Sequence, residues 1–251
     1  MINLVGRVKV NGSEKFVTPN PDNKDELIEL TGDFESGFKK KQSIFKCNEV
    51  TFLVPFNPNK ILGIGKNYYS PDEDSPKNIS FFLMANNALL GHKEPLVLPK
   101  RIGAVIPEGE VTVILSKTLR NATLEEAKNS IMGYTISNDF SARETDPINL
   151  PAAAKKSSDG LLPTGPFILL ESNLSDFSIK TFKNNELLQH GNTSQMLNSI
   201  PELISYISSF MTLEKFDMIA TGTPGPKVLA HHGDVIRVQV LPIGELETNI
   251  L

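Results

Sequence analysis

Pro107-Glu108-Gly109-Glu110-Val111-Thr112-Val113-Ile114-Leu115 carries only β-branched or aliphatic residues from 111 to 115, the composition of a strand. Side chains two apart on a strand point the same way, so Glu108 and Glu110 share a face. Neighbouring carboxylates repel unless a cation lies between them or one keeps its proton, and a hard divalent ion such as Mg²⁺ takes carboxylate oxygens at about 2.0–2.1 Å. Such a site needs another acid. Asp139, in Ser137-Asn138-Asp139-Phe140-Ser141-Ala142-Arg143, is the candidate, because it closes a second apolar run from Ile131 to Ile136. Between the runs, Thr123-Leu124-Glu125-Glu126 has the spacing of a capping box and predicts a short helix to about Ser130. A strand, a helix and a strand can return the third acid to the same end of a sheet. Taken alone, a Glu-Gly-Glu triplet reads first as a solvated strand edge.

Six segments extend the pattern: Ile64-Gly65-Lys66-Asn67-Tyr68, Glu108-Gly109-Glu110, Gly133-Tyr134-Thr135 through Asn138 to Arg143, Lys156-Ser157-Ser158-Asp159, Pro163-Thr164-Gly165-Pro166 and Thr221-Gly222-Thr223-Pro224. In that order, over about residues 58 to 251, they resemble the fumarylacetoacetate hydrolase family, in particular its branch of 2-hydroxyhepta-2,4-diene-1,7-dioate isomerases and acylpyruvate hydrolases. The resemblance implies an α+β fold, a mixed β-sheet roll with few helices. It also implies a small β-rich N-terminal domain over residues 1–57 and a catalytic domain over 58–251, with the boundary at Pro55-Phe56-Asn57-Pro58, where two prolines interrupt regular structure. The implied cofactor is Mg²⁺ or Mn²⁺ on Glu108, Glu110 and Asp139, the implied substrate a small 2-oxo acid, and the common assembly a homodimer. Lys156 corresponds to the family lysine beside the metal that polarises the oxo group. Buried near that cation it would have a depressed pKa, which would also let it act as acid or base. Lys66, at a strand end, and Thr223, in a glycine-flanked loop, are the expected holders of substrate carboxylates.

The chain also departs from the family pattern. Family hydrolases and decarboxylases often follow Asn-Tyr with a histidine and an acid on a lid, where this chain has Tyr69-Ser70-Pro71-Asp72-Glu73-Asp74-Ser75-Pro76. Pro71 stands at the histidine position, and Asp74, or Glu73, is the candidate for the acid. Met84 stands where a lysine is usual, and Asp146 where a glutamine is common. Hydrolysis of acylpyruvate or fumarylacetoacetate type is therefore the least supported of the family's reactions. Isomerisation, decarboxylation or (de)hydration through an enolate is favoured, and a metabolite-binding protein without turnover is the competing class.

Composition narrows the setting. A net charge of -4 gives no electrostatic case for nucleic acid or an anionic membrane, and no apolar run approaches the roughly 20 residues that span a bilayer. The lone Cys47 excludes an intramolecular disulfide and a cysteine zinc cluster. A soluble, cytoplasmic protein is expected.

Elsewhere the reading is structural. Lys183-Asn184-Asn185-Glu186 is a hairpin turn, and Ser199-Ile200-Pro201-Glu202 a second capping box, heading a helix whose Ile200, Leu203, Ile204, Ile207 and Met211 share one face. His92 reads as an exposed turn histidine, His190 as structural, and His231-His232 as a turn before a last strand from Val235 to Val240.

Overall fold

The computed structural model describes residues 3–69, 78–144, 150–172 and 176–251. The chain opens with β1 (Leu4–Val10), β2 (Ser13–Asn20), β3 (Asn23–Asp33), β4 (Gly37–Lys46) and β5 (Thr51–Leu53), then β6 (Ile61–Gly65), β7 (Ser80–Met84), β8 (Leu89–Leu90), β9 (Ile102–Ile106) and β10 (Gly109–Leu115). After α1 (Leu124–Lys128) come β11 (Ile131–Asn138), β12 (Ser141–Glu144), α2 (Ala152–Ser157), β13 (Leu162–Leu169), β14 (Ser178–Lys183), β15 (Glu186–Asn192), α3 (Ile200–Phe210), β16 (Met218–Ala220), β17 (Val235–Leu241) and β18 (Gly244–Asn249). This is the expected α+β architecture, dominated by strands with few helices.

A twelve-stranded sheet runs β4-β3-β2-β1-β13-β11-β10-β16-β6-β7, with β5 paired to β1 and β8 to β13. A four-stranded sheet, β15-β14-β17-β18, and the pair β12-β9 complete the described residues. β1 is antiparallel to β13, Leu4 opposite Leu169 and Gly6 opposite Phe167. The N-terminal strands thus prolong the large sheet, and the expected boundary at 57/58 falls in the connection between β5 and β6.

β10 lies at the centre of the fold, and every one of its residues is buried. Val111, Val113 and Leu115 point into one core with Leu203, Ile204 and Ile207 of α3 and Val238, Val240 and Leu246 of the small sheet. Ile114, on the opposite face, joins a second cluster with Ile61, Leu162 and Ile168. A strand covered on both sides reads as a continuous apolar run, which is how the sequence presents it. Between the apolar layers, Thr112 donates to Ser137 at 2.8 Å and the Ser137 and Thr164 hydroxyls lie 3.1 Å apart, so β10, β11 and β13 are tied by hydroxyls that would otherwise be costly to bury.

Local signals translate directly. The Thr123 hydroxyl accepts from Glu126 N (3.2 Å) while the Glu126 carboxylate accepts from Thr123 N (2.8 Å), capping α1. Ser199 and Glu202 cap α3 in the same way, and Ile200, Leu203, Ile204 and Ile207 are its buried face. Asn184 (φ 49°) and Asn185 (φ 72°) make the hairpin turn, a left-handed pair that asparagine tolerates. His92 is half-buried rather than exposed: its ring meets Phe52 edge-on at 5.0 Å and its Nδ1 accepts from Glu247 N at 3.1 Å. Burial, with the charge of Lys93, lowers its pKa to about 4. Among the described residues no helix is long and apolar enough to cross a membrane.

Candidate active site

Antiparallel pairing of β10 with β11 sets Gly109 opposite Asn138 and Glu110 opposite Ser137. Just beyond the ladder, Asp139 N donates to the Glu108 carbonyl at 2.9 Å, and Glu108 N donates to the Asn138 side-chain oxygen at 2.9 Å. The start of one strand therefore sits beside the end of the other, and Glu108, Glu110 and Asp139 line one cavity. Their exposures are 9%, 2% and 1%. The expected convergence of three acids is present.

Lys156 comes from the last turn of α2, a helix that sequence alone did not suggest. Its Nζ donates to Glu108 Oε2 at 2.5 Å and to the Asp139 carbonyl at 3.0 Å, lies 2.9 Å from Asp139 Oδ2, and stands 5.6 Å from the centre of the Phe82 ring. Ser141 donates to the same Glu108 oxygen at 2.9 Å, and Gly222 N donates to Glu110 Oε2 at 2.8 Å. Gly222 has φ +99°, and a Cβ there would lie 2.9 Å from Asn67 Cβ, so a side chain at this amide is excluded by both backbone and space.

The electrostatics are those of too many buried anions. Burial raises the Asp139 pKa to about 6, against the pull of Lys156 and with a further push from Glu108. Burial, then the charge of Asp139, pushes Glu110 well above the ordinary carboxylate range. The expected depression of the Lys156 pKa belongs to a lysine beside a cation, and its charged neighbours here are two carboxylates. Burial would lower it, but Asp139 and Glu108 outweigh that by charge and hydrogen bonding, so it is raised and the side chain is a firm cation.

Three carboxylates thus face one ammonium, and Asp139 Oδ1 is buried with no hydrogen-bond partner among the described residues. An excess of hard oxygen donors with an unpartnered anionic oxygen fits a divalent cation. As the residues stand, no three of the described His, Cys, Asp and Glu form a ready-made ligand cluster. Lys156 Nζ lies between Glu108 and Asp139 and takes up part of their charge.

The other expected residues line the same cavity of about 380 Å³, Lys66 from the end of β6 and Thr223 from the loop after β16. Lys66 has φ 57°, a left-handed conformation uncommon for a lysine. Thr223 donates to Gln189 Oε1 at 3.3 Å, while Gln189 Nε2 donates to the Pro226 carbonyl at 3.1 Å, so β15 braces this loop. Asp74, the expected lid acid, lies outside the described residues, as do Pro71, Glu73 and Asp146. Tyr68, Ser141 and Lys227 also line the cavity and were not singled out by sequence. Lys227 follows the Thr-Gly-Thr-Pro segment by only a few residues, which was the available signal.

The match to known proteins agrees with this geometry. The family profile described as fumarylacetoacetate (FAA) hydrolase, C-terminal, matches residues 60–251. The 4-hydroxyphenylacetate degradation bifunctional isomerase/decarboxylase of Salmonella dublin is 35% identical over 210 residues, which are 80% of this chain and 49% of that protein. Oxaloacetate tautomerase YisK of Bacillus subtilis (strain 168) is 32% identical over 226 residues, 82% of this chain and 75% of that one. The crystal structure of 5-carboxymethyl-2-hydroxymuconate delta-isomerase from Mycobacterium smegmatis superposes with a TM-score of 0.87 at 28% identity, covering 99% of both chains. Signature segments, fold and site geometry converge on one conclusion: the chain belongs to the fumarylacetoacetate hydrolase family.

Proposed function

We propose that the chain is a divalent-metal-dependent enzyme that moves a proton between carbon and oxygen in a 2-oxo dicarboxylic acid, as a keto–enol tautomerase or isomerase. One observation carries this reading: Glu108, Glu110 and Asp139 are buried together beside the Lys156 ammonium, which pairs with Glu108 and Asp139, and Asp139 Oδ1 is unpartnered among the described residues. In this reading the three acids hold Mg²⁺ or Mn²⁺. When bound, the ion supplies positive charge beside the 2-oxo and carboxylate oxygens of the substrate.

The protein's own groups supply the rest. In the metal-free site Asp139 and Glu108 hold Lys156 as a cation. It donates to the 2-oxo oxygen and stabilises the negative charge that gathers there as the proton leaves C3 for the carboxylate expected at the lid, Asp74 or Glu73, which delivers it to that oxygen to give the enol. Lys66 and Thr223 hold carboxylate oxygens, and Lys227 on the same wall adds a second exposed cation, which suits a substrate with two carboxylates. The tautomerase and isomerase names of relatives support the reaction class.

Decarboxylation passes through the same enolate and is the second reading, favoured by the name of the Salmonella relative. Hydrolysis needs a water activated at the lid, and Pro71 replaces the family histidine there. The proposed assembly is a homodimer in the cytoplasm, and light scattering on the purified chain tests the stoichiometry.

The deciding experiment is calorimetric titration of Mg²⁺ with oxalate, a planar enolate mimic, into wild type and Glu110→Ala, beside the decay of oxaloacetate enol absorbance. Metal-dependent oxalate binding that Glu110→Ala loses, with accelerated enol decay, is the expected result. Binding without acceleration of enol decay or decarboxylation would leave a metabolite-binding protein, and absence of binding to wild type would remove the metal assignment.

A further inference from the structure

Gln189 and Gly191 lie two apart on β15, the outer strand of the small sheet, and both are buried. They share a face, and the loop after β16 rests on it. A Cβ at Gly191 would lie 2.3 Å from Pro224 Cβ, so the loop meets bare backbone there. Beside it, Gln189 is 1% exposed and uses its carboxamide on three partners. Its Oε1 accepts from Thr223 Oγ1 at 3.3 Å and from Gly109 N, the amide between Glu108 and Glu110, at 3.4 Å. Its Nε2 donates to the carbonyl of Pro226, the residue before Lys227, at 3.1 Å. A backbone N–H only donates and a carbonyl only accepts, so these two ends allow the carboxamide one orientation. It spans from the strand that bears the acids to the peptide that bears Lys227. Filling the space does not require it, since a methionine of similar length would bury no amide. The acids do not require it either: Asp139 N and the Asn138 side chain hold Glu108, Gly222 N holds Glu110, and Thr221 N and Oγ1 both donate to the Val111 carbonyl (3.2 and 2.7 Å), fixing the start of the loop. What Gln189 adds is a tie from β10 to the far half of that loop.

We propose that Gln189 is a positioning residue that makes the site select for a second carboxylate. By fixing the peptide between Pro226 and Lys227 relative to β10, it sets how far the Lys227 ammonium stands from the three acids, without itself touching the substrate. Pro226 and Lys227 line the cavity, and Gln189 stands behind them. The inference rests on the proposed function and extends it from reaction class to substrate choice. A lysine side chain is long and loses rotamer freedom when it pairs with an anion. Anchoring its backbone leaves less to be ordered on binding, so a diacid of the right length gains and a monoacid does not.

The test is Gln189→Met, which keeps the length of the side chain and removes both ends of the amide. KM for the enol of oxaloacetate is expected to rise about tenfold with kcat within about twofold of wild type. Affinity for oxalate with Mg²⁺, which mimics the enolate end alone, is expected to stay within about twofold. In a Lys227→Met background, Gln189→Met is expected to raise KM no further, because the two residues act as one. Gln189→Asn, whose amide is one methylene too short to span both partners, should show the same split and stands in if the first variant does not fold. A fall in melting temperature with KM unchanged is what a merely structural amide gives, and it would overturn the proposal with the proposed function intact. So would an oxalate affinity that falls as far as KM rises, which would place Gln189 in support of the metal acids. A full further rise in KM in the Lys227→Met background, or no effect of Lys227→Met on KM, would overturn it as well. Wild type without enol turnover would remove the proposed function and this inference together.

Discussion

Gly109 separates the two glutamates, and its replacement by alanine tests why a glycine stands there. A Cβ built at Gly109 would lie 2.3 Å from Thr181 Oγ1 and 2.8 and 3.2 Å from the two methyls of Val238. Both neighbours are fully buried, one on β14 and the other on β17, so neither can swing into solvent. The small sheet packs against the bare backbone of β10, on the face opposite Glu108 and Glu110. Overpacking of a tight core costs about 1–3 kcal/mol, and contacts this short place Gly109→Ala at the upper end. For a chain of this size each kcal/mol shifts the melting temperature by about 2–4 °C, so a fall of about 6–12 °C is expected by calorimetry or circular dichroism. The cycle with Thr181→Ala isolates the cause. Thr181 Oγ1 has no hydrogen-bond partner among the described residues, so its removal is cheap, and it takes away the nearest clash. In that background Gly109→Ala is expected to cost less by about 1 kcal/mol or more. A fall of under 2 °C for the single variant, or an equal cost in both backgrounds, would refute the packing account. If β10 yields instead of the small sheet, both glutamates move, and oxalate affinity falls alongside stability.

Further outcomes follow from the same geometry. Lys156→Met removes the only side-chain cation paired with Glu108 and Asp139 among the described residues; the metal-free protein is expected to lose about 3–5 kcal/mol, with Mg²⁺ restoring more melting temperature than it adds to wild type. If Mg²⁺ gives both proteins the same increment, the acids and the ion do not interact. His92 holds a folded pKa of about 4 against about 6.5 unfolded. The unfolded chain binds the proton first, so stability from neutral His92 is complete above about pH 6.5 and is lost as pH falls towards 4. Denaturant titrations at several pH values should show the gap between wild type and His92→Gln shrinking by about 2–3 kcal/mol over that window; a pH-independent gap would contradict the assigned burial. Leu203→Ala, on the buried face of α3, should cost about 2–5 kcal/mol without changing oxalate affinity per folded molecule.

What could be read from the sequence was local in origin. Strand composition located β10, hydroxyl–carboxylate spacing located α1 and α3, and paired asparagines located one hairpin, because each depends on residues a few positions apart. Strand parity aligned Glu108 with Glu110 and placed Asp139 at the close of the next apolar run, but it was the resemblance of six segments to a known family that made the three acids legible as a site. Long-range features were not legible. That β1 would pair with β13 depends on partners far apart in sequence, and the half-buried setting of His92 depends on Phe52 and on β18.

The ionisation of Lys156 shows most clearly why chemistry needs distances as well as residue types. With its Nζ 2.5 Å from one carboxylate oxygen and 2.9 Å from another, Lys156 holds its proton in the metal-free site. Sequence supplies the lysine and the acids, and the register of β10 on β11, with the reach of α2, sets those distances. That register also determines what a substrate meets. Because Glu108, Glu110 and Asp139 all stand at the open end of one antiparallel pair, where β10 begins and β11 ends, their spacing is held by backbone hydrogen bonds and by the small sheet pressed against Gly109, with no reliance on their own side-chain packing. The site is therefore rigid where charge is concentrated, on β10 and β11. The residues proposed to hold carboxylates, Lys66, Thr223 and Lys227, stand at strand ends and in loops. Reaction class belongs to the first set and substrate choice to the second, so substitutions at Lys66 or Lys227 should alter which acid is accepted while leaving metal binding in place.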